Sequence, residues 1–346
     1  MIKLLEPDMP TADELLSYLR RIDASKIYTN HGPLVQELET RLEKMIGPCV
    51  VVSTGTAALE LALWAVRRNM DWSNTYVPSV TFVATGLAAL PSIDVVDVDI
   101  KTCQLSPGQL LRDKYNIAVP VAAFGSPVKL SAWETFATET SSHVVIDAAG
   151  AFGQQEISKH PLITTCFSLH ATKIVGAGEG GIVCSSDPKL LDQIRESRCF
   201  GLETQDWGSN AKLSEYHAAV ALASLDILSG SKDRIEFNRR TYLLEFTSNE
   251  LLSHFTGDPI FGSTMLNVML DQDAEPVAKR LAERGIQTKQ WYRPFLHEHD
   301  LFRHHRVGTF YNSQRIADRM LGLPFHNFLT PEDIQHVCRS LKECLS

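Results

Sequence analysis

Phe167-Ser168-Leu169-His170-Ala171-Thr172-Lys173, continued by Ile174-Val175-Gly176-Ala177-Gly178-Glu179-Gly180-Gly181, is the stretch on which the reading of the chain turns. It sets one lysine, Lys173, between a Ser/Thr cluster and a glycine-rich turn. A free lysine has a pKa of about 10.4 and attacks carbonyls poorly at neutral pH. Desolvation lowers that value, and condensation with an aldehyde removes the free amine altogether. Ser168 and Thr172 carry hydroxyl donors suited to an anion, and glycines let backbone pass close to a flat ring. The pattern therefore points to a lysine that holds an aldehyde cofactor as a Schiff base. The ordinary alternative is a solvated lysine in a polar turn, and the rest of the chain has to supply the partners that separate the two.

The 346 residues are enough for a large core, and suit one large domain with a smaller one. With 44% hydrophobic and 21% charged residues the composition is that of an ordinary globular protein. A net charge of −8 speaks against a broad surface for nucleic acid or anionic lipid. No apolar run reaches the roughly 18 residues of a membrane span, and Lys3, Glu6 and Asp8 interrupt any signal-like segment, so a cytoplasmic protein is expected. Seven cysteines, odd in number and without a Cys-x-x-Cys pair, suggest neither a disulfide framework nor a metal site.

Apolar positions at helical spacing predict helices between Met1 and Gly47, broken by the turn-rich Ile27–Pro33. Cys49-Val50-Val51-Val52 reads as a buried strand that ends in Ser53-Thr54-Gly55-Thr56 and opens a helix running to Arg68. A strand, a small-residue turn and a helix start form an anion site from backbone N–H groups, which assigns Gly55 and Thr56 to a phosphate. The same residues also suit a plain N-cap. Strands are expected at Tyr76–Pro78, Ile93–Val98, Ile117–Ala122 and His143–Ile146, with helices at Thr81–Leu90 and Leu130–Thr140. That alternation indicates an α/β fold with a mostly parallel sheet, in which ligands bind beyond the carboxyl ends of the strands.

Asp147 sits at such an end, where a carboxylate needs a cationic or hydrogen-bonding partner; a protonated pyridine nitrogen is one. With Lys173, this points to pyridoxal 5'-phosphate (PLP). Gly176 to Gly181 also fits G-x-G-x-x-G, but the glycines lead into the strand-like Gly181–Ser185 instead of opening a helix, which rejects a dinucleotide site. Further helices are expected at Pro188–Arg198 and His217–Leu228, then a connecting helix to about Leu252. Strands at Met265–Leu270 and Thr288–Tyr292 with helices at Glu275–Arg284 and Pro331–Leu341 suggest a small α/β domain. The expected division is 1–230 for the large domain and 231–346 for the connecting helix and small domain.

In order, Gly32-Pro33, Glu37-Leu38-Glu39, Ser53-Thr54-Gly55-Thr56-Ala57-Ala58-Leu59, Pro78-Ser79-Val80-Thr81-Phe82-Val83-Ala84-Thr85, Asp97-Val98-Asp99, Asp147-Ala148-Ala149, Ser168-x-x-x-Thr172-Lys173, Glu179-Gly180-Gly181 and Asn210-x-Lys212-x-Ser214-Glu215 follow one another. Tyr292-x-Pro294-x-Leu296-His297 and Leu323-Pro324-Phe325-His326 come after them. This series resembles the DegT/StrS-type nucleotide-sugar aminotransferases, which are fold-type I PLP enzymes, from about residue 25 to 334. The resemblance implies a PLP Schiff base at Lys173, with pyridoxamine phosphate as the intermediate form, and Asp147 on the pyridine nitrogen. It also implies Phe82 stacked on the ring, and Gly55, Thr56 and Ser168 on the phosphate, with Asn210 arriving from the second subunit of a homodimer.

At one position the chain departs from the pattern: the Gln or His usual three residues after the aspartate is Gly150 here. Sugar dehydratases of the family replace the lysine with histidine, and Lys173 is intact. The implied reaction moves an amino group from an amino acid, L-glutamate by resemblance, to a 3- or 4-keto-6-deoxy sugar nucleotide. The product would be an amino sugar for a surface polysaccharide or a glycosylated metabolite. Tyr28, Asn30 and His31, together with Tyr292, Arg293 and His297, are candidate sugar-nucleotide contacts. A PLP-dependent dehydratase and a non-catalytic relative are the competing readings.

Overall fold

Strand β1 (Cys49–Val52) is buried at all four positions, and its side chains alternate between two separate cores. Val50 and Val52 face a cluster with Leu61, Leu190 and Ile194, whereas Cys49 and Val51 face one with Leu38, Phe167 and Leu222. A strand apolar on both sides belongs in a sheet covered by helices on both faces, and that is what the computed structural model shows. It describes residues 1–68, 74–110, 115–203 and 205–345.

The main sheet adds β2 (Thr75–Pro78), β3 (Asp94–Val96), β4 (Ile117–Ala118), β5 (His143–Asp147), β6 (Ile163–Ser168) and β7 (Gly181–Ser185), in the order β1-β7-β6-β5-β4-β2-β3. Only β7 runs against its neighbours, so the sheet is mostly parallel. The register sets Val52 and Ser168 on either side of Gly181, and Asp147 beside Cys166. The carboxyl ends of β1, β5 and β6 therefore share one edge of the sheet.

Helix Glu215–Ser248 crosses from the large domain to the C-terminal one. Its first half packs Ala218, Leu222 and Leu225 into the main core, and Tyr242 and Phe246 near its end enter the core of a three-stranded antiparallel sheet. That sheet has the order β10-β9-β8, built from β8 (Ile260–Phe261), β9 (Leu266–Met269) and β10 (Met320–Leu323). Helices Ala274–Glu283 and Pro331–Leu345 cover it. Leu296 and Phe302, although late in the chain, pack into the large domain's core.

Three expectations need correction. Residues 1–10 are not helical. Pro7 and Pro10 lack N–H donors, Ile2 bridges Ile286 of the C-terminal domain, and the first helix begins at Ala12 behind a Thr11–Glu14 capping box. Thr288–Tyr292 is not a strand either: it makes a single bridge, Lys289 to Gly322, and then peels away. The Trp291 indole occupies the space over Gly322, where a Cβ would lie 2.7 Å from its Nε1. The two helices expected across 217–252 are one, because the polar Ser229–Asn238 stretch keeps helical geometry while bridging the domains.

Candidate active site

Asp147 ends β5 with 5% of its surface exposed. Its Oδ2 accepts a hydrogen bond from Thr85 Oγ1 at 2.6 Å, and its Oδ1 accepts one from the Ala149 N–H at 3.1 Å. Thr81 Oγ1 lies 2.7 Å from Thr85 Oγ1. Burial pushes the carboxyl above the usual aspartate range, while the two bonds and the nearby Lys173 charge pull the other way. Lys173 is half-buried, and burial moves its amine below the usual lysine value against the opposing influence of Asp147. An acid pushed up near an amine pushed down is a combination that catalytic sites favour.

Gly150 borders the amine. A Cβ there would lie 3.9 Å from Lys173 Nζ and 3.6 Å from the Gly125 backbone, which is ordinary contact. Backbone crowding therefore does not require a glycine at this position, and its lack of a side chain leaves room next to the lysine.

The β1 end and the β6 end bring together donor groups suited to an anion. Thr54 Oγ1 accepts from the Ala57 N–H at 3.0 Å, so the cap of helix Gly55–Arg68 is Thr54 itself. The N–H groups of Gly55 and Thr56 in the first turn then have no intrahelical acceptor. A Cβ on Gly55 would sit 2.7 Å from Ser168 Cβ, so only glycine lets the helix start against that serine. Ser168 Oγ accepts from the His170 N–H at 3.2 Å and keeps its own proton for donation. Gly181 is equally constrained: a Cβ would meet the Thr54 carbonyl oxygen at 2.2 Å. The glycine-rich segment folds back on the Ser168–Lys173 stretch through Leu169 N–H to Gly180 O and Ala171 N–H to Gly178 O. It enters β7 as a turn and opens no helix.

Phe82 follows β2, directly after the buried Thr81, and is 61% exposed. Tyr292 meets its edge at 6.3 Å between centroids and stacks on Phe124 at 5.4 Å. Burial, followed by the Asp147 charge, raises the Tyr292 phenol, which keeps it neutral.

The remaining candidates have other engagements. His31 Nε2 lies 2.8 Å from Glu39 Oε2. Glu39 also accepts from Arg198 Nη1 at 2.7 Å and from the Val51 N–H at 3.0 Å. Tyr28 stacks on Tyr216 at 6.1 Å, and Asn30 is exposed with a φ of 60°. Arg293 reaches Glu298 at 3.8 Å, and His297 is buried in parallel stacking on Phe310 at 4.3 Å. Asn210 is exposed and accepts from Lys212 Nζ at 2.5 Å. Gly55, Thr56, Phe82, Asp147, Ser168, Lys173 and Tyr292 thus surround one edge of the sheet, while His31, His297 and Asn210 hold partners elsewhere. The sequence reading assigned no role to Thr81, Thr85 or Thr54. The four-residue spacing of Thr81 and Thr85 across a helix start is the signal that relates the first two.

Among the described residues there is no cluster suited to a metal ion and no helix long and apolar enough to cross a membrane. None of the seven cysteines is in a disulfide.

Known proteins resemble the chain in sequence and in fold. Protein Rv3402c of Mycobacterium tuberculosis is 28% identical, over 99% of this chain and 90% of its own. The dTDP-4-amino-4,6-dideoxy-D-glucose transaminase of Shigella dysenteriae is 26% identical, over 99% and 98%. Among solved structures, DesI in the presence of its TDP-sugar product superposes with a TM-score of 0.87 at 26% identity, covering 99% of this chain and 93% of that one. Sugar aminotransferase CalS13 from Micromonospora echinospora gives 0.86 at 25%, covering 99% and 100%. The model of the DegT/DnrJ/EryC1/StrS aminotransferase family matches residues 10–342, and the chain belongs to that family.

Proposed function

We propose that the chain is a PLP-dependent aminotransferase that moves an amino group from an amino acid, L-glutamate in the first instance, to a nucleotide-linked keto sugar. The observation that carries the reading is the pair Asp147 and Lys173, both shifted by burial, beside the Gly55–Ser168 cradle at the same sheet edge. The names of the Shigella transaminase, DesI and CalS13 support the substrate class.

The residues present fit PLP. Asp147 is a buried carboxylate with two fixed donors and lone pairs to spare, which suits a protonated ring nitrogen. Gly55, Thr56 and Ser168 offer two backbone N–H groups and a hydroxyl to a phosphate at a helix N-terminus. Phe82 offers an exposed aromatic face. When bound, PLP supplies the electron sink that makes a Cα proton acidic. Lys173 would hold the cofactor and, once freed from it, its Nζ would take the proton from the donor's Cα and deliver it across the imine nitrogen. Burial, which moves its pKa downward, favours the neutral amine that such a transfer needs. Asp147 keeps the ring nitrogen charged, and the half-enclosed setting of Lys173 limits the water that reaches it.

A homodimer with shared sites completes this reading, with Asn210 of one copy serving the phosphate of the other. Phe200, Leu202 and Trp207, all exposed near Asn210, support a covering partner. In a mixed dimer of Lys173→Ala and Asn210→Ala chains, one of the two sites should regain activity. Failure of mixing to restore any would place Asn210 within its own subunit. A cytoplasmic setting, where the seven thiols stay reduced, belongs to the same reading.

Incubation with glutamate and a panel of 3-keto and 4-keto sugar nucleotides, followed by mass spectrometry, tests the proposal. An aminated sugar nucleotide supports it. Conversion of glutamate with no sugar product would contradict the substrate class.

A further inference from the structure

Asp147 faces a difficulty that its position creates. It has to remain ionised to hold a protonated ring nitrogen, yet burial pushes its carboxyl upward. The groups that oppose burial are few: the Thr85 hydroxyl, the Ala149 N–H and the Lys173 charge. The Cys166 thiol beside it contributes nothing, since burial and the Asp147 charge hold that thiol well above its usual range.

The hydroxyl contact has a direction. An ionised carboxylate only accepts, so the single proton of Thr85 is spent on Asp147 Oδ2 at 2.6 Å. The 2.7 Å contact between Thr85 and Thr81 is then donated by Thr81. Each hydroxyl that donates while accepting becomes a stronger donor, so Thr81 polarises the bond that Thr85 makes. Both threonines are 1% exposed, and water does not substitute for either. The placement also departs from the usual behaviour of a helical threonine, whose hydroxyl bonds the carbonyl four residues back. Thr85 lies in helix Val83–Ala89 and aims at Asp147 instead, leaving Thr81, four residues back, to bond it through its side chain.

We propose that Thr85, supported by Thr81, is a positioning residue of the reaction: a two-hydroxyl relay from the β2 loop that fixes the Asp147 carboxylate and keeps it ionised opposite the cofactor ring nitrogen. The proposal rests on the PLP reading above. Phe82 lies between the two threonines in sequence, so one short segment, Thr81–Thr85, both stacks on the ring and secures its nitrogen partner.

The test compares wild type, Thr85→Val, Thr85→Ser and Thr81→Val, each loaded with PLP carrying 15N at the ring nitrogen. Ring protonation is followed by NMR against pH, and PLP dissociation by fluorescence. Valine keeps the shape of threonine, and serine restores the hydroxyl, so packing and hydrogen bonding are separated. Wild type and Thr85→Ser should keep the ring nitrogen protonated through the neutral range. Thr85→Val should lose that proton at lower pH and bind PLP about tenfold more weakly, equal to ~1.4 kcal/mol. Thr81→Val should fall between, because it removes only the relay's first bond. A Thr85→Val protein with wild-type ring protonation and PLP affinity would overturn the proposal. A wild-type Thr81→Val profile would remove Thr81 from it. Wild type that takes up no PLP would instead overturn the functional reading, before any variant is compared.

Discussion

At Asp147 and Lys173, burial acts on two groups of opposite charge and moves both toward their neutral forms, and the Asp147–Lys173 attraction only partly opposes it. Asp147→Asn should retain the shape and lose the charge, lowering kcat by 100-fold or more, about 2.7 kcal/mol of transition-state stabilisation, in a steady-state assay. A variant with wild-type kcat would contradict the pairing. This scale was readable in part. Lys173 and Asp147 stand out as a lysine and a carboxylate at strand ends among glycine and small residues. Thr85 did not, because a threonine in a short helix carries no signature until its four-residue spacing from Thr81 is set beside the carboxylate. The polar candidates fared unevenly: His31, chosen for its turn-rich segment, lies against Glu39, and no local pattern announces a partner eight residues away.

Two helix-level features of the large domain show why the family series contains residues remote from the lysine. Glu215, 1% exposed, accepts from the N–H groups of Leu34 and Val35, so it caps helix Pro33–Ile46 from the start of the long connecting helix. Gly32 makes room for it, since a Cβ there would lie 2.7 Å from the Glu215 Cδ. Gly32→Ala should therefore destabilise the protein by about 1–3 kcal/mol in urea titrations. An unchanged midpoint would show that the carboxylate moves aside freely.

Glu39 works similarly, joining helix Pro33–Ile46 to β1 and to Arg198. Burial alone would raise its carboxyl, but the Arg198 charge, His31 and the Val51 N–H outweigh it and hold it below the ordinary 4.5. A depressed folded pKa contributes stability that is present above 4.5 and is lost as pH falls through the folded value. Glu39→Gln, which strands the buried Arg198, should cost about 3–5 kcal/mol at neutral pH. The gap from wild type should narrow below pH 4.5, and a gap independent of pH would exclude the ion pair as its source.

At this scale the sequence was most readable where pattern and burial agreed. Cys49–Val52, Leu130–Thr140 and Gly181–Ser185 were placed correctly from their residues. Strand β6 carried no such signal, since Thr164, Thr165 and Ser168 dilute its apolar run. The short β8 and the Gly322-containing β10 gave no period to detect.

Across the whole molecule, the N-terminal segment, the connecting helix and the C-terminal domain meet at Asp8. Its Oδ2 accepts from Ser231 Oγ at 2.7 Å, Arg234 Nη2 at 3.0 Å and Asn327 Nδ2 at 2.5 Å. Asp8→Ala should loosen residues 1–9 and 326–330 in hydrogen exchange while costing about 1–2 kcal/mol of stability, because the Asp8 side chain is covered only in part. The fold as a whole brings three strand ends and a helix start to the neighbourhood of one amine, that of Lys173. The account stands or falls on which lysine of the chain holds the cofactor. Borohydride reduction of the PLP-loaded protein, followed by peptide mapping of the whole chain, reads this directly. The account predicts a single phosphopyridoxyl adduct, on Lys173; an adduct on another lysine, or none at all, would contradict it.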